Sequence, residues 1–137
     1  MAWSTTVVIP PDGNMTDYIT SLDKLTKRIE PTYWPTHGPP LLEPLPYVHS
    51  LIQHRQDRIQ QIIQRLTTTP QTVPELVAAL YQGLDPRLTG AAGRSTLASL
   101  IHLHELGKVN CEGQPDLNSQ FTPVSYTHLT LPTILRV

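Results

Sequence analysis

Between Tyr47 and Leu66 the apolar side chains Val48, Leu51, Ile52, Ile59, Ile62, Ile63 and Leu66 recur on one side of a helix, with Gln53, Gln56, Asp57, Gln60 and Gln64 on the other. This spacing predicts a long amphipathic helix, placed as a connector between two lobes. Upstream, Trp3–Ile9 is β-branched and apolar and stops at Pro10-Pro11-Asp12-Gly13, the pattern of a strand running into a turn. Asn14 can cap a following helix, with Asp17 three residues on and Met15, Tyr18, Ile19, Leu22 and Leu25 at helical spacing. Pro31–Pro35 reads as a short extended element and Thr36–Pro40 as a loop, because residues before proline avoid helical geometry. A strand, a helix, a strand and a loop make half of an α/β layer. They cannot close a core alone, so residues 1–45 read as the edge of a larger sandwich.

Downstream of the connector, Thr72 and Glu75 have capping-box spacing and open a helix with Leu76, Val77, Leu80 and Tyr81 inward and Gly83 as terminator. Asp85-Pro86 suits a second helix start, and Leu97, Leu100, Ile101, Leu103 and Leu106 mark a helix that ends at Gly107. Lys108-Val109 then begins an extended stretch. Three helices and a hairpin in this order predict a winged-helix domain over residues 68–123, giving an α+β chain overall.

Composition narrows the function classes. The chain has 137 residues, with 10 Lys and Arg against 11 Asp and Glu, so its summed field gives no electrostatic case for nucleic acid or an anionic membrane. A single cysteine, Cys111, excludes an internal disulfide framework, and the N-terminus lacks a basic segment followed by a signal-length apolar run. A cytoplasmic location is the expectation, and no apolar stretch approaches the length that crosses a bilayer.

The chemistry-bearing string is Tyr33-Trp34-Pro35-Thr36-His37-Gly38-Pro39-Pro40, followed by His54-Arg55-Gln56-Asp57-Arg58 on the connector. These residues resemble metallo-β-lactamase-fold proteins of the beta-lactamase-like protein 2 type, which carry a winged-helix C-terminal extension. In that group a Pro-Gly-His-Gly-Pro loop closes the metal site and a His-Arg-x-x-Arg-Glu helix leads away from it. Trp3–Val8, Pro10–Gly13, Glu75–Tyr81 and Gly90–Ser95 are also similar to bacterial members, and the similarity runs in order from about Met1 to Val109. Two positions depart from the pattern. Thr36 stands where the family has glycine, which would strain the loop if the position needs positive φ. Ile59 stands where the family has glutamate, removing a carboxylate that could pair with a neighbouring arginine.

The resemblance implies the C-terminal part of a metallo-β-lactamase αββα sandwich, followed by a long helix (46–67) and the winged helix. It implies a cofactor of two zinc ions in the intact parent, with His37 the last histidine ligand, serving the second ion. A neutral imidazole on a tight loop can present a nitrogen at roughly 2.0–2.1 Å from zinc. The implied activity is hydrolysis, by metal-bound hydroxide, of an ester, thioester, lactone or phosphodiester in a small molecule or RNA. The family's His-x-His-x-Asp-His cluster, further histidine and bridging aspartate would all lie upstream, the aspartate just before Met1. On this reading Met1 is an internal methionine, the chain by itself is inactive, and its first partner is the missing N-terminal part of its own domain.

The remaining candidates carry weaker signals. His102 and His104 lie two apart within a predicted helix, so they face different directions and are read as packing or solvent-facing groups. His49 and His54, on the connector, are read as surface or interlobe hydrogen-bonding groups, and Cys111 as a structural or incidental thiol. Only Arg87, Arg94 and Lys108 supply cations to the would-be recognition region, with Glu105 opposing them. This favours a covering or homodimerising module; an independent winged-helix interaction or nucleic-acid-binding module is the alternative reading. The final stretch, Val124–Thr133, back-translates as GTC TCT TAT ACA CAT CTG ACG CTG CCG ACG. This resembles a transposase mosaic end with its sequencing adapter read in frame, so residues 124–137 are expected to be no part of the fold.

Overall fold

The computed structural model describes residues 6–124. It comprises four helices and a small sheet: α1 (Met15–Thr26), α2 (Pro44–Leu66), α3 (Val73–Leu80), a 3₁₀ turn (Pro86–Leu88), α4 (Thr89–Glu105), β1 (Val109–Asn110) and β2 (Thr122–Pro123). The adapter-like segment lies outside the described residues except for Val124, whose N–H donates to Lys108 O.

The winged-helix lobe holds the main core. Ile62 and Leu66 from the end of α2, Val73, Leu76 and Val77 from α3, Leu97, Leu100 and Leu103 from α4, Val109 from β1 and the fully buried Phe121 form one cluster. The wing is an antiparallel pair in which Val109 faces Pro123 and Asn110 faces Thr122. A bridge between Gln71 and Phe121 ties the chain ahead of α3 to the same edge. Thr72 caps α3, its Oγ1 accepting from the Glu75 N–H at 3.4 Å. Asp85 caps the 3₁₀ turn by accepting from Arg87 N–H at 2.9 Å, so the helix read from Asp85-Pro86 opens with this turn and becomes α-helical at Thr89.

Helix α2 begins at Pro44, ahead of the expected Tyr47. Pro44 and Pro46 sit in the first turn, where backbone N–H groups have no intrahelical acceptor, so neither proline forfeits a bond. Helix α4 is buried almost all round: Ala92, Gly93, every residue from Ser95 to Leu100, and Leu103. Small residues (Ala92, Gly93, Ser95, Ala98, Ser99) let α3 approach on one side and the N-terminal segment on the other.

The N-terminal third differs from the expected half-sheet. Residues 6–9 form no strand. Ladder bonds need a neighbouring strand, and instead Val8 N–H donates to Ser95 Oγ on α4 at 3.3 Å, while the Arg55 guanidinium donates to Thr6 O. Val8, Met15 and Ala98 form a second, small core cluster. The turn between this segment and α1 requires Gly13. Its N–H bonds Ile9 O at 2.6 Å, and an added Cβ would lie 2.7 Å from Ile9 N. The extended element expected over 31–35 is reduced to one antiparallel bridge, Tyr33 to Leu41. Helix α1, capped by Asn14 through the Asp17 N–H at 2.9 Å, packs on α2 and α4.

Candidate functional site

The loop carrying His37 is clamped at its base. Tyr33 and Leu41 exchange both backbone hydrogen bonds, at 3.0 and 2.8 Å, and residues 34–40 project between them. Gly38 takes φ 105°, a conformation that favours glycine, and no described non-glycine residue has positive φ. The strain foreseen at Thr36 is therefore not realised: the left-handed requirement falls one residue after His37. His37 itself is solvent-exposed, and so are Trp34 in the loop, at 80%, and Leu42 at its end, at 72%.

The other candidates lie on other elements. Exposed His49 and half-buried His54 lie on α2, where burial, then the charges of Arg55 and Arg58, hold His54 below its ordinary pKa. His102 and His104 lie on α4. The Cys111 thiol, half-buried in the wing, is pushed up first by burial. Among the described residues no group of three or more His, Cys, Asp or Glu side chains lies close enough to hold a metal ion. The donors among the described residues thus do not by themselves make up a zinc centre, because a catalytic zinc takes about three protein ligands.

Three groupings join elements distant in sequence, two of them through the arginines of the His-Arg-x-x-Arg pattern, whose partners no periodicity marks. The buried Arg55 lies over the Tyr18 ring at 5.1 Å while holding Thr6 O, joining α1, α2 and the N-terminal segment. Arg58 lies over the Tyr81 ring at 4.2 Å and donates to Leu80 O at 3.2 Å, closing the C-terminal end of α3 against α2. Thr16 Oγ1 sits between His102 Nδ1, at 2.6 Å, and Glu105 Oε2, at 2.9 Å. Ile59 packs against the winged-helix core, so an apolar contact stands where the family pattern has a carboxylate. Contacts between elements distant in sequence leave no periodicity for a reader to find. The i, i+3 spacing of Arg55 and Arg58 was the nearest available hint.

Helix α4 is poorly placed to read nucleic acid. Its surface is covered by Val8, by Met15 and by α1, and the nearby Arg87 is paired with Asp85 at 2.7 Å. A helix enters a major groove only if one long face is free.

Residues 72–116 match the family described as the beta-lactamase associated winged helix domain. Among solved structures, a beta-lactamase domain protein from Burkholderia ambifaria superposes with a TM-score of 0.74 at 20% identity, over 88% of this chain and 37% of its own. A metallo-beta-lactamase family protein from Thermus thermophilus gives a TM-score of 0.65 at 25% identity, over 80% of this chain and 33% of its own. The chain thus spans about a third of the length of these proteins. It has the fold of a metallo-β-lactamase-type C-terminal region with its winged helix.

Proposed function

We propose that this chain, which carries a beta-lactamase-associated winged helix on a metallo-β-lactamase-type C-terminal region, is the supporting part of a zinc-dependent hydrolase. Its own contribution to the metal site is one ligand, His37. The observation that carries this reading is the His37 loop: pinned at Tyr33 and Leu41, exposed at its apex, and flanked by uncovered Trp34 and Leu42. Both the missing ligands and the missing apolar cover would come from one body, the upstream part of the same domain. The proposed division is 1–45 for the hydrolase-domain piece, 46–67 for the connector and 68–123 for the winged helix. Two zinc ions and an ester, thioester, lactone or phosphodiester substrate follow from the resemblance, and the proposed cytoplasmic site of action rests on the single cysteine. Among the described residues no helix is long and apolar enough to cross a membrane.

In this reading the chain does three things. The bridge at the loop base and Gly38 fix where the His37 imidazole is held. Arg55 ties the segment leading into α1 onto α2 through Thr6 O and Tyr18. The winged helix backs α1 through α4, where Met15 packs on Ala98 and Thr16 meets His102 and Glu105.

Sequencing the DNA upstream of Met1 tests the reading. The expected result is an open frame encoding a His-x-His-x-Asp-His run, with a Gly-Asp immediately before Met1. An in-frame stop just before Met1 would overturn it and leave a free-standing winged-helix module.

A further inference from the structure

A cleft of about 610 Å³ opens where the Pro10–Met15 turn, α4 and the wing loop 115–118 meet. It lies outside the His37 loop, and its size is in the range of small-molecule sites, about 300–1,000 Å³. Leu97, Ile101 and Leu117 give it apolar walls, and His102 and Asp116 are its ionisable lining groups.

The hydrogen-bond chain beside it sets what His102 offers. A hydroxyl has one proton, and Thr16 Oγ1 donates it to the Glu105 carboxylate, which accepts. The 2.6 Å contact between Thr16 Oγ1 and His102 Nδ1 must therefore carry a proton from Nδ1. The lone pair then resides on Nε2, the ring nitrogen with no protein partner among the described hydrogen bonds. Burial also favours the neutral ring.

Asp116 adds a second acceptor. Its Oδ1 takes the Asn118 N–H at 2.7 Å and the Ser119 hydroxyl at 3.2 Å, which fixes the wing loop. No Lys, Arg or His pairs with its carboxylate among the described residues. At the α1 N-terminus on the cleft edge, Asn14 Oδ1 takes the Asp17 N–H and Asp17 adds a carboxylate to the first turn, which disfavours an anion there. Apolar walls with two acceptors, one anionic, complement a ring-sized molecule bearing an ammonium group.

We propose that this cleft binds a small organic amine, its apolar body between α4 and Leu117 and its ammonium group donating to the Asp116 carboxylate and His102 Nε2. The test is a titration of the ¹⁵N-labelled 137-residue chain with 2-phenylethylamine, followed by amide chemical shifts. Saturable shifts are expected at Asn14, Ile101, His102 and residues 116–118, at millimolar amine or below. Asp116→Asn keeps the Oδ1 acceptor that holds the wing loop. It should weaken amine binding by about tenfold, the loss of one charge-assisted hydrogen bond. In the unaltered chain, 2-phenylethanol should bind as weakly as the amine binds to that variant. Absence of saturable shifts, equal binding of phenylacetate, or an Asp116→Asn variant that binds the amine undiminished would each overturn the proposal.

Discussion

Arg58 joins two elements with one side chain, through the Tyr81 ring and the Leu80 carbonyl. A cation over an aromatic face and a charged hydrogen bond to a helix-end carbonyl together stabilise by about 1–2 kcal/mol at a half-buried site. Arg58→Met keeps the apolar stem and removes both interactions, so chemical denaturation should report a loss of about that size. Tyr81→Phe, which retains the ring, should cost far less. An equal loss in the two variants would contradict the cation–ring account. The histidines add a dependence on pH. His102 and His54 are both held below the ordinary value of about 6.5, burial being the largest cause in each. The unfolded chain therefore takes up protons first as pH falls. Stability should be full above about pH 6.5 and decline as pH drops from there through the two folded-state values. Thermal midpoints between pH 7 and pH 5 should fall, with a shallower slope in His102→Gln. A midpoint that rises over this interval would contradict the assignment.

At the level of elements, patterning sufficed where a helix has a partner within the chain. The apolar stripe of α2, the caps at Asn14, Thr72 and Asp85 and the stop at Gly107 all have local causes, and local causes are written in local sequence. The N-terminal segment shows the opposite case. Thr6–Ile9 has strand composition but no neighbouring strand, so its backbone turns to Ser95 and Arg55 instead. Its composition speaks of a sheet, whereas its conformation depends on which residues are present to pair. The His37 loop was legible as a loop, yet the Tyr33–Leu41 clamp joins residues eight apart and Gly38 carries the unusual φ. Of the cleft beside α4, nothing was legible, since it is assembled from three separate stretches. The two core clusters also imply unequal stability. Amide exchange should be slowest in α3, α4 and the end of α2 and faster in α1, whose own cluster is Val8, Met15 and Ala98. Greater protection across residues 15–26 than across 73–103 would contradict this ordering.

Across the whole molecule, a well-formed winged-helix core stands beside a region that keeps large apolar side chains in solvent. Trp34, within the loop that bears the proposed ligand, and Leu42, just after it, are both exposed, as is Ile29. The apolar cover and the remaining ligands are proposed to arrive together, from the upstream part of the domain. The most direct measurement is the zinc content of the protein expressed with the upstream segment proposed above, compared with the same protein carrying His37→Ala. The expected result is about two zinc ions per chain without the substitution and about half that content with it, since His37 is assigned to the second ion. Identical zinc content in the two proteins would contradict the assignment of His37 as a ligand.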